Sequence, residues 1–442
     1  MKNLDSKRDN REESLLSRSK IKINKAFNTG FFHIFSSSVL RNILSFISGI
    51  ILVRIIPKSI YGTYSYANNI VSYFMLFSGL GIASAVFQIC CEKRKDGNIS
   101  QEIFNYGISW GYSINIVLSL LIVVYSFTFS GSAIRAEEYL IFLSFLPLVN
   151  ILYELLTLYY RSKSDNKRYA SINIISATLT FILSIIGSLL FGVWGMILSN
   201  YLTPIISFAI ARVYFGYSYS FKFRIGKELE IDIWKLAITS MAANAISSIM
   251  YMIDISMVGM FLKDGAQVAS YKIASTIPSA FYFLTSTIVT YIYPYFAEHK
   301  DDIVWTKYRV KQTLLGCSML FGIICCGLFV VANPIITIVF GNQYADAVPV
   351  FKILVIAFFF QSTFRGIFGN LLVTQRKIKF NLIESILTGI ANIIGDYVLI
   401  QKYGAVGVAI STLIVMVFSG TLATSYYFFV LNKKQKQLGN IR

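Results

Sequence analysis

Arg41, Glu154, Asp254, Arg365 and Asp396 each sit deep inside an apolar run of this chain. A charge at the middle of a bilayer costs roughly 2.5–3.5 kcal/mol on insertion scales, so each needs a partner, water or a task. Arginine suits phosphate: its planar fork binds two oxygens at once and does not deprotonate. Arg41 and Arg365 are therefore candidate ligands for an anionic headgroup such as a pyrophosphate. The competing reading is that they pair with the acids as glue between helices. Asp254, then Asp396, then Glu154 are candidates for carrying a coupling proton or sodium ion. Their competing reading is an ion pair with a neighbouring arginine. Glu384 lies nearer the end of its run, and Lys235 and Lys352 lie near run ends where a long side chain can reach water.

No catalytic constellation is visible beside these charges. The two histidines, His33 and His299, are far apart in the chain. No phosphate-loop motif occurs, so direct use of ATP is not expected. Cys90, Cys91, Cys317, Cys325 and Cys326 lie in or beside apolar runs without zinc-site spacing, and read as small buried hydrophobes. No catalytic residue, metal site or cofactor is expected, apart from a proton or sodium gradient as energy source.

The elements that hold these residues follow from the pattern of apolar runs. The 442 residues are 55% hydrophobic and 14% charged, against roughly 25% charged in a soluble domain. The runs are about twenty residues long, the length that spans a bilayer core. The fold class is thus an all-α polytopic membrane protein. Twelve spans are expected at 31–54, 65–90, 104–129, 138–160, 169–191, 195–215, 235–261, 273–297, 311–332, 349–374, 380–400 and 405–430. The first run follows a long polar stretch and precedes no small-residue cleavage pattern, so it reads as a retained helix and not a signal peptide. Pro147, Pro204 and Pro278 fall within spans. Each removes a backbone hydrogen bond, which makes them candidate hinges or simply packing kinks.

Lys and Arg set the expected orientation. With the N-terminus inside, the inner segments hold thirty of the forty and the outer loops six, Lys272 among them. That bias places both termini in the cytoplasm and requires an even number of spans. The net charge of +18 then points to the anionic face of a membrane, not to nucleic acid. The chain divides into an N-terminal tail (1–30), a six-helix lobe (31–215), a linker (216–234), a second six-helix lobe (235–430) and a C-terminal tail (431–442). The two halves echo each other. Tyr64, Ala67 and Ile70 match Tyr271, Ala274 and Ile277, and Gly192, Gly195 and Ser199 match Gly404, Gly407 and Ser411. Halves with an even number of spans make parallel repeats, a pseudo-twofold about the membrane normal.

Three stretches carry a resemblance. They are Arg54-Ile-Ile-Pro57 with Tyr61-Gly62-Thr-Tyr64, Phe340-Gly341-Asn-Gln-Tyr344-Ala-Asp-Ala347, and Tyr403-Gly404-Ala-Val-Gly407-Val-Ala-Ile-Ser411. In order and spacing the chain resembles the multidrug/oligosaccharidyl-lipid/polysaccharide exporter superfamily, and most of all its polysaccharide flippase branch. The resemblance implies two six-helix lobes in a bacterial cytoplasmic membrane. The implied substrate is an undecaprenyl-pyrophosphate-linked sugar repeat unit, as for O-antigen, and other polysaccharide-assembly proteins are implied as partners. The matching motifs mark turns and interfaces, so they transfer no ligand residue. Two rival functions are a cation-coupled multidrug exporter of the same superfamily and a membrane sugar polymerase or acyltransferase. The exporter branch often carries an acid in its first span, where this chain has Arg41. The polymerase reading is opposed by short outer loops and by the half-repeat.

Overall fold

In a computed structural model the described residues, 31–93, 97–129 and 135–439, are almost entirely helical. The expected tail at 1–30 lies outside the described residues. In a hydrocarbon solvent only a helix satisfies its own backbone along an isolated segment, which is why the apolar runs take this form. The helices are α1 (Phe31–Ile55), α2 (Lys58–Met75), α3 (Ile82–Glu92), α4 (Gly97–Ser126), α5 (Glu137–Leu143), α6 (Leu146–Ser162), α7 (Asn166–Phe191), α8 (Val193–Phe215), α9 (Lys227–Leu262), α10 (Gly265–Glu298), α11 (Ile303–Val330), α12 (Val348–Phe360), α13 (Gly366–Thr374) and α14 (Ile378–Gly439).

Ten helices among the described residues are long and apolar enough to cross a membrane. The longest of these, Lys379–Gln437, contains two expected spans joined at Gly404. The expected span 235–261 lies within α9. Twelve crossings are thus accommodated. Leu189, Leu190 and Ile323 on α7 and α11 are more than half exposed, as lipid-facing side chains should be.

Backbone contacts group the chain into two compact units. The first holds Met1–Ile55, Phe74–Tyr125 and Ile141–Ala245; the second holds Ile56–Tyr73, Ser126–Leu140 and Ile246–Arg442. In the first unit α1 packs on α7 and α7 on α8, with Ser48 and Ser184 sharing a hydrogen bond of 3.0 Å between their hydroxyls.

Two spans are broken part-way along their length. After α2, residues Gly79, Leu80 and Gly81 all have positive φ (53°, 47° and 79°). The other break precedes α6, which begins at Leu146–Pro147. Pro147 therefore opens a helix, where its missing N–H costs nothing, and does not bend a continuous one. A single buried side chain serves both breaks. Asn115 accepts from Gly79 N at 2.8 Å and donates to Ser78 Oγ at 3.0 Å and to the Pro147 carbonyl at 2.8 Å. Replacing Asn115 by leucine should lower thermal stability in detergent by about 1–3 kcal/mol for each group left unpaired. An unchanged melting temperature would show that water replaces the amide.

The linker is not a free tether. Residues 218–222 run along α4. Gln101 donates to the Ser218 carbonyl (3.1 Å), Asn105 bonds Ser220 through both side chain and backbone (2.9 and 3.1 Å), and Lys222 N donates to Ser109 Oγ (2.6 Å). The register is geometric: four helical residues rise roughly 6 Å and two extended residues roughly 6.6 Å. An ion pair between Lys222 and Glu102 at 2.7 Å adds to it. The intervening Tyr217 is buried against Tyr159 and Phe208, and burial pushes its phenol well above the ordinary range, so it stays neutral.

The half-repeat is a repeat of backbone geometry. Gly192 has φ 59° and ψ −136°, and Gly404 has φ 58° and ψ −139°. A Cβ on Gly195 would lie 1.9 Å from the carbonyl oxygen of Gly187, and one on Gly407 would lie 2.2 Å from that of Leu399, each eight residues back. Ser199 and Ser411 are both buried, as are Tyr64, Ala67, Ile70, Tyr271, Ala274 and Ile277.

In the second unit the start of α2 packs on α9 and α10. A Cβ on Gly62 would fall 1.6 Å from the Gly265 oxygen. Asn69 donates to the Met252 carbonyl (3.0 Å) and to Ser256 (2.8 Å). Lys58 reaches Asp346 at 2.5 Å, and Asp346 also accepts from Ser270 at 2.8 Å. Two of the resemblance motifs, at 61–64 and 340–347, thus lie beside one closely packed surface.

Candidate functional site

The deep acids of the second unit come together on three helices. Asp254, on α9, accepts from Tyr271 of α10 at 2.6 Å and from Thr412 of α14 at 2.8 Å, both at Oδ2. Asn392 of α14 donates more weakly to Oδ1 at 3.4 Å. No arginine pairs with Asp254 among the described residues. Asp396 is fully buried, flanked by Asn392 and Ser411 and close enough to Asp254 for the two charges to interact. Among the described residues neither of its carboxylate oxygens makes a well-formed hydrogen bond, Ser411 and Asn392 being its nearest polar neighbours. Burying an ionised carboxylate without such partners is costly.

Asp254 opens onto a cavity of about 410 Å³ within the second unit. Tyr271, Lys272, Tyr282, Gln361, Asn392 and Thr412 line it as well. The apolar runs place Lys272 in an outer loop, and the structure corrects this. Helix α10 starts at Gly265, eight residues earlier than the apolar run suggests, because Asp264 caps it by accepting from Ala266 N at 2.8 Å. The lysine therefore stands inside the helix and on the cavity wall. Pro278 lines the same cavity, and Pro204 lies inside the unbroken α8.

The acids belong to a longer polar stripe. Glu384, Thr388, Asn392 and Asp396 recur every four residues on α14 and are each at most 2% exposed. That spacing puts them on one helix face. Residues of the returning half of α14 meet them: Ser419 bonds Glu384, and Ser411 donates to the Asn392 carbonyl at 3.2 Å. At the Glu384 end, Arg365 Nη2 lies 2.9 Å from Glu384 Oε2. Arg365 closes a single π-helical turn, Gln361–Arg365, that separates α12 from α13.

The remaining charges fall in the first unit. Arg41 is exposed on α1 and Glu154 exposed on α6. Neither makes an ion pair among the described residues. Charge and burial in the sequence single out Asp254, Asp396 and Arg365. They miss Lys272, Tyr282, Gln361 and Thr412, whose only signal is an ordinary polar residue in an apolar helix. They also miss Thr388 and Asn392, for which the four-residue spacing between Glu384 and Asp396 is the signal.

Comparison with known proteins agrees with this architecture. The inward closed lipid II flippase MurJ superposes with a TM-score of 0.69 at 16% identity, covering 92% of each chain. An inward-facing multidrug resistance MATE family transporter of the MOP superfamily gives 0.69 at 13% identity, over 90% of this chain and 96% of its own. These likenesses establish the fold, that of twelve-helix two-lobe transporters. In sequence, the lipopolysaccharide biosynthesis protein WzxC of Escherichia coli (strain K12) is 23% identical over 403 residues, 86% of this chain and 76% of its own length. The succinoglycan biosynthesis transport protein ExoT of Rhizobium meliloti (strain 1021) is 22% identical over 326 residues, 71% of this chain; the match spans 62% of ExoT. Residues 51–349 match the family of polysaccharide biosynthesis proteins, and the chain belongs to that family.

Proposed function

We propose that this protein flips undecaprenyl-pyrophosphate-linked oligosaccharide repeat units, of the O-antigen kind, across a bacterial cytoplasmic membrane by alternating access. In this reading it is a transporter without catalysis, both termini are cytoplasmic, and polysaccharide-assembly proteins are its partners. Family membership supports the reading, as do the names of ExoT, WzxC and MurJ, each a transport, lipopolysaccharide or lipid flippase protein.

The observation that carries the mechanism is the pair of neighbouring acids, Asp254 and Asp396, behind a cavity whose mostly apolar wall presents a few polar groups. Two carboxylates in a low-dielectric site hold charge poorly unless a proton or sodium ion joins them. Such a site binds a cation where the gradient supplies it and releases it on the other side. The bound cation changes the relative free energy of the two access states by its differential affinity for them. The neighbouring Lys272, Tyr282 and Gln361 supply donors for phosphate or sugar oxygens. Arg41 is a second candidate anion contact.

Deletion of the gene tests the function. Surface polysaccharide should disappear and lipid-linked repeat units should accumulate on the cytoplasmic leaflet, with both defects reversed by the intact gene. Unchanged polysaccharide together with hypersensitivity to cationic dyes would instead assign the protein to drug export.

A further inference from the structure

Arg365 and Glu384 form an ion pair that is only half made. Their 2.9 Å separation satisfies charge attraction. Glu384 Oε2 nevertheless receives no hydrogen bond, because Arg365 Nη2 is turned to donate to Ser385 Oγ at 3.0 Å. The other oxygen of Glu384 is held by Ser419. The two partners also differ in access: the Arg365 side chain is 24% exposed and that of Glu384 only 2%. The Arg365 side chain is thus the more accessible of the two.

The backbone around Arg365 provides for movement. The residue ends the π-helical turn that separates α12 from α13, and such turns locally relax the helical ladder. Gly369, one turn on, gives the guanidinium room: a Cβ there would lie 2.5 Å from Arg365 Nη1. Gln361, at the start of the same turn, lines the 410 Å³ cavity. Arg365 thus stands one turn from a cavity that already presents Lys272.

Among the described residues Glu384 has Arg365 as its one ion-pair partner. Its neighbours are Arg365 from the π-helical turn, Ser419 from the returning half of α14, and Ser385 and Thr388 on its own helix. Among the described residues it makes no second ion pair. The nearest acid on its stripe, Asp396, is twelve residues away.

We propose that Arg365 exchanges Glu384 for an anionic phosphate group of the transported substrate, and that Glu384, left buried without a counter-charge, then takes up a proton. The proton comes from solvent and ends on the Glu384 carboxylate; no covalent bond to substrate forms or breaks. A lone buried carboxylate is far costlier than its neutral acid, so the exchange and the protonation occur together. Anion binding and proton binding then strengthen each other reciprocally. This deepens the transport reading by making substrate loading itself proton-linked at a second place, remote from Asp254. The sign follows directly: the loaded state holds one more proton than the free state, so anion affinity rises as pH falls.

The test uses the full-length protein in lipid nanodiscs, with inorganic pyrophosphate as the probe. Calorimetric titration in buffers of different ionisation enthalpy counts protons taken up on binding. The wild type should take up roughly one proton per bound anion. Glu384→Gln should bind several-fold more tightly and take up about one proton fewer per bound anion than the wild type, because the competing carboxylate is gone and only the probe's own ionisation remains. Glu384→Asp, which keeps the acid, should retain the uptake and guards against a folding defect in the glutamine variant. Arg365→Gln should lose the proton-linked binding. Equal proton uptake in wild type and Glu384→Gln would overturn the exchange, and so would weaker binding by a folded Glu384→Gln. No pyrophosphate binding by the wild type would also overturn it, yet would leave the transport reading to be judged by the polysaccharide phenotype of the deletion.

Discussion

Asp254→Asn should reduce transport to the level of the deletion strain while leaving the protein folded in the membrane. Asparagine keeps an oxygen for the hydroxyls of Tyr271 and Thr412, which now donate at 2.6 and 2.8 Å. The local packing therefore survives, and only the charge and its titration are lost. With Asp396 as the one remaining acid, the site no longer supplies the two carboxylates proposed to share a cation. Asp254→Ala is the harsher change: it leaves two hydroxyl donors unpaired at about 1–3 kcal/mol each, so its phenotype mixes folding with function. The measurement is surface polysaccharide in a complemented deletion strain, normalised to protein in the membrane fraction. It is paired with uptake into inverted vesicles under imposed proton or sodium gradients. Normal transport by Asp254→Asn, still dependent on the gradient, would remove Asp254 from the coupling machinery.

The second large effect concerns folding. Gly195→Val should abolish accumulation of the folded protein, and Gly407→Val should do the same. A Cβ at these positions would meet backbone at 1.9 and 2.2 Å, where no side-chain rotation relieves the clash. Ordinary overpacking costs roughly 1–3 kcal/mol; here two helices must separate, so the loss should exceed that range. Gly316 supplies the control. It lies in α11, and a Cβ there would meet nothing within 4 Å, so Gly316→Ala should stabilise by about 0.5–1 kcal/mol through helix propensity alone. Membrane-fraction yield and thermal unfolding in detergent report both effects. Wild-type stability of Gly195→Val would mean that the turn at Gly192 yields more easily than its geometry suggests.

The pattern of apolar runs sufficed for the helical class and the twelve crossings, because lipid leaves a spanning segment no alternative to helix. The sequence also showed the half-repeat. Gly192 and Gly404 were readable as equivalent because a backbone with φ near 58° and ψ near −139° excludes a Cβ. Charge picked out Glu384 and Asp396 but not the stripe that joins them through Thr388 and Asn392, although its four-residue spacing is a property of one helix. Each of these features is local, or repeats a local constraint.

Partners across helices were not readable. The sequence left Arg365 between anion ligand and structural pair, and only packing brings it to Glu384, a residue nineteen positions away through a turn. It left Asp254 between coupling acid and salt bridge, and packing gives it Tyr271, Thr412 and Asn392 in place of an arginine. Asn115 is an ordinary polar residue in the sequence, yet it ties two broken spans together. Hydropathy puts Lys272 in a loop because it marks where apolar side chains begin; a helix begins where its cap lies, here at Asp264. Length, hydropathy and backbone strain act along the chain, so the sequence by itself determined spans, turns and repeat. Hydrogen bonds between helices depend on how those helices rotate and approach, and that only the tertiary structure decided.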